Sequence, residues 1–202
     1  MNDIVQCQIS GPYACFTDFR FGCDGHSYPF ITPSAARNIF QNIHWKKGEF
    51  NYEIVSIGIQ KPIQFTSLML NEFKSFGLNG PGERTQRSRT ILVDVSYLIK
   101  ARIVPCDGQD HGHVIGKHSN MFDRFLRRSA FRPPYLGMSD FDATYKPIDE
   151  LSPQESETLN LDIDFGIVFY DFNYDKYMTP RFFHARVTSG WVITDPRKIE
   201  IK

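Results

Sequence analysis

Gly116-Lys117-His118 is the sharpest chemical feature of the sequence. A lysine and a histidine stand side by side where a glycine-bearing loop is expected to enter a helix. The first-turn N–H groups of a helix lack partners and carry partial positive charge, so such a position binds anions. Lys117 adds a fixed cation there, and His118 adds a proton donor that can titrate near neutrality. A second imidazole, His44, falls at the end of an earlier helical pattern and is expected on a side of the molecule from which it can reach the second helix. Two histidines and a lysine suffice for metal-free RNA cleavage. A base takes the proton of a ribose 2′-OH, the oxygen attacks the adjacent phosphorus in line, an acid protonates the leaving 5′-oxygen, and a cation stabilises the added negative charge. The products are a 2′,3′-cyclic phosphate and a 5′-hydroxyl. Taken singly, each residue also has a plain reading: a Lys-His pair at a helix start is ordinary polar surface, and His44 is a half-buried residue packed on Trp45.

Two other chemistries are weaker. Cys106, Asp107, Asp110, His111 and His113 are a dense set of potential metal ligands, but no second ligand pair at zinc-like spacing follows them. Gly108, Gly112 and Gly116 suggest a hinge instead, and no metal or other cofactor is expected. A cysteine nucleophile at Cys15 or Cys106 lacks a recognisable local context.

The elements that must position these groups can be read from periodicity. Asp3 to Ser10 alternates as a strand, which Gly11 and Pro12 should end. Thr32 is an N-cap and Pro33 suits the first helical position. Ala36, Ile39, Phe40 and Ile43 then recur at helical spacing as far as His44 or Trp45. Tyr52 to Gln60 alternates again, and Ile63 and Phe65 extend it past Pro62. Phe76 to Arg89 reads as a flexible loop carrying Arg84, Arg87 and Arg89, and Ile91 to Val104 as a long β-branched strand. The linker Asp107 to Gly116 leads to a second helix over His118 to Ala130, and Tyr135 to Met138 is a short strand. This β-α-β, β-α-β order predicts an α+β protein of ferredoxin-like (split βαβ) form, an antiparallel sheet with two helices. Pro147 to Leu159 reads as a mobile acidic loop, and Asp162 to Ile201 as a small β appendage with a hairpin turn at Ser189-Gly190. The expected division is a ferredoxin-like domain over 1–138 and an acidic loop with a β appendage over 139–202.

The 202 residues carry a net charge of zero, which argues against a protein that coats nucleic acid indiscriminately. The zero hides an asymmetry. Arg84 to Arg132 holds ten Lys or Arg against four acids, and Ser139 to Asp175 holds ten acids against one Lys. One positive and one negative face is one outcome, and two solvated surfaces the other. No apolar run is long enough to span a membrane, no secretory leader is evident, and the four cysteines form no C-x-x-C pair. A cytoplasmic protein with reduced thiols is expected.

Several stretches, in this order and spacing, resemble the Cas-five family, in its Dvulg branch from type I-C CRISPR systems. They are Ala14-Cys15-Phe16-Thr17-Asp18, the run from Tyr28-Pro29-Phe30 to Ala36-Arg37, Ile43-His44-Trp45-Lys46, Lys61-Pro62-Ile63, Arg84-Thr85-Gln86-Arg87, Gly116-Lys117-His118, Pro134-Tyr135-Leu136-Gly137, and Pro180 to Arg186. The resemblance covers nearly the whole chain. It implies a ferredoxin-like body with a C-terminal β region. It also implies an endoribonuclease that cuts the repeat stem-loop of precursor CRISPR RNA and stays in the surveillance complex, with the repeat hairpin, the mature crRNA, the other complex subunits and duplex DNA as partners. The family's proposed catalytic set is an aromatic hydroxyl at the end of the first helix plus the Lys-His pair. The pair falls on Lys117 and His118, but the tyrosine position before Trp-Lys is His44 here. The expected roles are His44 as base, His118 as acid and Lys117 as electrostatic clamp, with the two histidines exchangeable. Arg84, Arg87, Arg89, Arg124, Arg127 and Arg128 become candidate RNA-backbone contacts, and Tyr28, Trp45 and Phe76 candidate stacking groups. The alternative is a non-catalytic scaffold holding the 5′ handle of crRNA.

Overall fold

The computed structural model describes residues 3–21, 25–73, 84–128, 134–174 and 177–202. Its organising element is one strand, β4 (Arg84–Pro105). On one edge β4 pairs antiparallel with β1 (Ile4–Ala14), from Ile4 opposite Arg102 to Ala14 opposite Leu92. On the other edge it pairs in turn with β2 (Phe50–Ile59) and β3 (Phe65–Phe73). A short strand, β5 (Thr144–Pro147), pairs outside β1. The last three strands, β6 (Ile163–Asn173), β7 (Thr179–Thr188) and β8 (Trp191–Ile193), join the same sheet through antiparallel pairing of β8 with β2. The order is β5-β1-β4-β2-β8-β7-β6, with β3 on β4. Two helices pack on the sheet, α1 (Pro33–Ile43) and α2 (His111–Arg127), and they meet where Phe40 stacks on Phe122 at 5.2 Å.

The first helix forms as expected. The Thr32 hydroxyl accepts from the N–H of Ala35, and Ala36, Ile39, Phe40 and Ile43 are buried. Four other elements differ from expectation. The first strand runs on through Gly11 and Pro12 to Ala14; its ladder steps over Pro12, which has no N–H to donate, opposite the stretch around Asp94, where φ is +51°. Residues Arg84 to Arg89 are strand rather than loop, because every one of them has a partner on β3 from Phe73 to Leu68; the rest of the expected loop, 76–83 with Phe76, lies outside the described residues. Tyr135 to Met138 contributes one isolated bridge, Tyr135 with Asp142, and the strand that closes on β1 is β5 instead. The stretch Pro147 to Leu159 is tied down, with the Gln60 side chain donating to Glu157 O at 3.3 Å and Leu159 N donating to Ile59 O at 2.8 Å.

The largest departure concerns the second helix. It begins at His111, seven residues before the expected start, because Asp110 caps it: the carboxylate accepts from His113 N at 3.1 Å. Val114, His118, Phe122 and Leu126 then form one buried stripe at i, i+4 spacing. Gly112 and Gly116 are therefore helical, and no hinge precedes Lys117. Residue 130, the expected end, lies outside the described residues.

Two glycines test this architecture. At Gly137 φ is +86° and a Cβ would sit 1.9 Å from the carbonyl oxygen of Cys15, whose N–H donates to Leu136 O. At Gly48 φ is +82° but a Cβ would meet nothing within 4 Å. Gly48→Ala should therefore cost about 1–2 kcal/mol, the left-handed penalty alone. Gly137→Ala adds a backbone clash and should cost clearly more, above about 3 kcal/mol. Urea unfolding midpoints of the two variants check the ranking.

Candidate active site at the end of the first helix

The three residues singled out by type come together. His44 is the C-cap of α1, and its N–H donates to Phe40 O. Lys117 and His118 lie in the middle of α2, so the expected helix-start anion site is not where they are. His44 Nε2 and His118 Nδ1 are 2.8 Å apart, across 74 residues of sequence. The rings lie nearly parallel with centroids 5.1 Å apart, and Phe50 and Phe125 pack against them at 4.3 and 5.4 Å. Tyr52 secures the cap from below by donating its hydroxyl to His44 O at 2.9 Å.

A fourth residue, Glu49, completes the cluster and is not singled out by the sequence. It stands in the turn from α1 into β2, where Cys106 N donates to its carbonyl. Its Oε2 accepts from Lys117 Nζ at 2.9 Å and lies 2.7 Å from His118 Nε2, while Oε1 pairs with Lys46. The only signal in the sequence is an acid one residue past Gly48. Three donors around one carboxylate hold Glu49 down at about 2, first through Lys46, then Lys117 and His118.

The hydrogen bonds constrain the protons. Ionised Glu49 only accepts, so the hydrogen of His118 facing it is on Nε2. With His118 neutral, its Nδ1 is then a lone pair, and the bond to His44 is donated by His44 Nε2–H. That leaves His44 Nδ1 unprotonated and able to accept a proton. A carboxylate fixing one imidazole, which in turn fixes another, is the positioning logic of acid–base relays. Burial, followed by the charges of His118 and Arg124, lowers His44 to about 4, so it is neutral at pH 7. His44 is 8% exposed and His118 0%. His118 therefore touches other molecules only through His44 or after Glu49 gives way. Lys117 remains half-exposed.

The six arginines do not form one patch. Arg124 borders the histidines and lies over Phe125 at 5.4 Å. Arg127 is held by Asp149 at 2.5 Å and Glu150 at 2.7 Å, and Arg128 is the exposed C-cap of α2. Arg84 is described only by its backbone. Arg87 and Arg89 are half-buried at the far part of β4. Arg127 lines a cleft with Ile4, which pairs with Arg102, thirteen residues along β4 from Arg89. At about 3.3 Å per residue the two groups are on the order of 40 Å apart.

Tyr28 is buried, so it is not free to stack on a base. Trp45 is 41% exposed, though its indole N–H donates to Phe50 O at 3.0 Å. Cys15 is buried, and desolvation raises its thiol, the opposite of what a nucleophile needs. Among the described residues no three His, Cys, Asp or Glu side chains form a metal-ligand set, the Cys106 to His113 group included. Among them also, no helix is long and apolar enough to cross a membrane.

Comparison with known proteins adds four findings. The model of the family Cas_Cas5d, described as CRISPR-associated protein (Cas_Cas5), matches residues 4–194. A protein of Mannheimia succiniciproducens named CRISPR pre-crRNA endoribonuclease Cas5d is 32% identical over 218 residues, covering 97% of this chain and 96% of that one. A Thermus thermophilus protein of the same name is 30% identical over 223 residues, covering 97% and 93%. A solved crystal structure of a CRISPR-associated protein superposes with a TM-score of 0.71 at 20% identity, covering 98% of this chain and 96% of that one, and this likeness concerns the fold alone.

The buried imidazole gives a pH signature. The folded state holds His44 at about 4 against an ordinary value of 6.5, so between these the unfolded chain binds more protons. Stability is complete above pH 6.5 and falls as pH drops toward 4, by an amount on the order of 1–3 kcal/mol. Glu49 adds a second loss in the same direction, below its ordinary 4.5 and down toward 2. Urea midpoints measured in pH steps should show both phases, and His44→Phe should flatten the upper one while leaving the lower.

Proposed function

The chain belongs to the Cas_Cas5d family of CRISPR-associated proteins, and from that membership we propose that it is the endoribonuclease that cuts the repeat stem-loop of precursor CRISPR RNA. The observation that carries this reading is the convergence of His44, Lys117 and His118 from two helices around one carboxylate. His44 Nδ1 takes the 2′-OH proton, and the 2′-oxygen attacks the adjacent phosphorus. Lys117 stabilises the charge that builds on the phosphoryl oxygens. His118 protonates the leaving 5′-oxygen from Nε2, which exchanges Glu49 for the phosphodiester, while its Nδ1 takes the proton of His44 Nε2. The proton gained by His44 Nδ1 is thus passed on, and both imidazoles end neutral. The products are a 2′,3′-cyclic phosphate and a 5′-hydroxyl, and the scheme needs no metal. The imidazole at position 44 suits this task near pH 7 better than the family's tyrosine, whose ordinary pKa is about 10.

The reading extends to partners and architecture. The protein keeps the mature crRNA as a cytoplasmic subunit of the surveillance complex, with duplex DNA as a further ligand. Arg87, Arg89, Arg124, Arg127 and Arg128, with Arg84, are its RNA-backbone contacts. The order β1-β4-β2 with two helices supports a ferredoxin-like body over 1–138, to which 139–202 is an addition that supplies the fourth strand, β5, on β1.

One observation favours a second reading. His118 is fully buried and Glu49 neutralises Lys117, as suits a non-catalytic holder of the crRNA 5′ handle. A labelled repeat hairpin in EDTA separates the two. The nuclease cuts it, leaving a cyclic phosphate, whereas a holder binds without cutting. His44→Phe should slow single-turnover cutting by about 10²–10⁴-fold, and Lys117→Ala by about 10²–10³-fold. Native-rate cutting by His44→Phe would remove the assignment of the base.

A further inference from the structure

A second polar pocket lies between α1 and the β6–β7 hairpin, with a volume near 250 Å³. Its walls include Arg37 of α1, Glu53 of β2, Tyr170 and Asp171 of β6, and Arg181 of β7. Two guanidinium groups thus share one small space. Arg37 gives one Nη2 to Asp171 at 3.0 Å and to Tyr174 Oη at 3.1 Å, and lies 5.5 Å from the centre of the Tyr174 ring. Arg181 lies 5.7 Å from the centre of the Tyr170 ring. Among the described residues no carboxylate forms a salt bridge with it.

The Nε atoms of both arginines are buried without a hydrogen-bond acceptor. Only three buried side-chain atoms among the described residues are in that condition, and two of them belong to this pocket. A buried donor without a partner is costly, and such groups call for an explanation in function. The local acids do not supply it. Asp171 is engaged by Arg37 and by its neighbour Phe172 N at 2.8 Å, and Glu53 is engaged by Arg102 at 3.2 Å and Arg197 at 3.8 Å. The lining holds two guanidinium groups and two carboxylates, but among the described residues Asp171 pairs with Arg37 and Glu53 with Arg102 and Arg197, which leaves Arg181 without a direct ion pair.

We propose that this pocket binds a phosphodiester of the RNA outside the scissile site. Guanidinium groups bind phosphate oxygens in fork geometry, and a small turn of the guanidinium would bring its buried Nε to face the ligand as one tine of that fork. The volume is below the roughly 300 Å³ at which small-molecule pockets begin, and it has room for a phosphate with part of its sugar. The base would lie outside, where Tyr174, 56% exposed, offers a ring already over Arg37. The pocket is separate from the histidines, although Tyr52, which holds the His44 carbonyl, also lines it. That the polymer is RNA rests on the reading above; that the pocket takes a phosphate does not.

Arg181→Gln tests this, since Arg37 also serves Asp171. The variant should bind a repeat hairpin carrying single-stranded flanks about tenfold more weakly. Its slope of log affinity against log salt should be shallower by about one, and its single-turnover cutting at saturating RNA should be unchanged. Tyr174→Ala should weaken binding of the flanked hairpin more than of the bare stem. Arg181→Lys, which keeps the charge and loses the fork, should fall between wild type and Arg181→Gln, and serves if Arg181→Gln fails to fold. Wild-type affinity and salt slope in folded Arg181→Gln would overturn the proposal, as would an equal loss for every RNA in Tyr174→Ala. If the wild-type protein binds the hairpin without cutting it, the nuclease reading fails, and the same binding comparison still decides the pocket.

Discussion

Every part of the candidate active site hangs on the two edges of β4. Its 22 residues pair with β1 on one side and with β2 and β3 in succession on the other. Phe50 opposite Pro105 places the turn that carries Glu49 beside the chain leaving β4. Cys106 N donates to Glu49 O, and the capped start of α2 follows at Asp110. One end of one strand thereby fixes where α2 begins and where the carboxylate stands. A slip of one residue in the β2–β4 register would reverse which face Phe50 and Tyr52 occupy, and with it the packing of both imidazoles.

Within that frame the electrostatics are unbalanced in a productive way. The imidazoles are kept from water by Phe50 and Phe125, while Glu49 remains within reach of solvent and of two lysines. A carboxylate ringed by Lys46, Lys117 and His118 occupies the kind of place a phosphate would take. The donors that would serve a phosphodiester are already collected, and an internal anion satisfies them. Burial, with His118 and Arg124 beside it, keeps His44 neutral against the opposing pull of Glu49, and the bond of Glu49 to His118 Nε2 explains why His118 is presented through His44 rather than directly.

The second pocket obeys a different rule. There Asp171 holds Arg37, but among the described residues no carboxylate forms a salt bridge with Arg181, so no internal anion stands in for a ligand at that guanidinium. It is built across elements, from α1, β2 and the β6–β7 hairpin, and it exists only because β8 brings that hairpin into the sheet beside β2. The C-terminal strands thus contribute a surface as well as extending the sheet.

What the sequence determined by itself was local. The Thr32–Pro33 cap, the i, i+3, i+4 stripe of α1 and the alternation of β1 and β2 are short-range patterns, because capping and periodicity act within a few residues. The adjacency of Lys117 and His118, and the position of His44 at a helix end, belong to the same class. Tertiary structure decided the rest. Residues 107–116 read as a hinge from their glycines, although the Asp110 cap and the Val114, His118, Phe122, Leu126 spacing are local, and packing on the sheet decides that this stripe is the buried one. Arg84 to Arg89 looked like a loop because a strand's partner, here β3, cannot be seen in the strand. Glu49 carried no pattern at all: it became the centre of the site because long-range pairing brought residues 44, 49, 117 and 118 together, and pairing energies between distant segments leave no trace in local spacing.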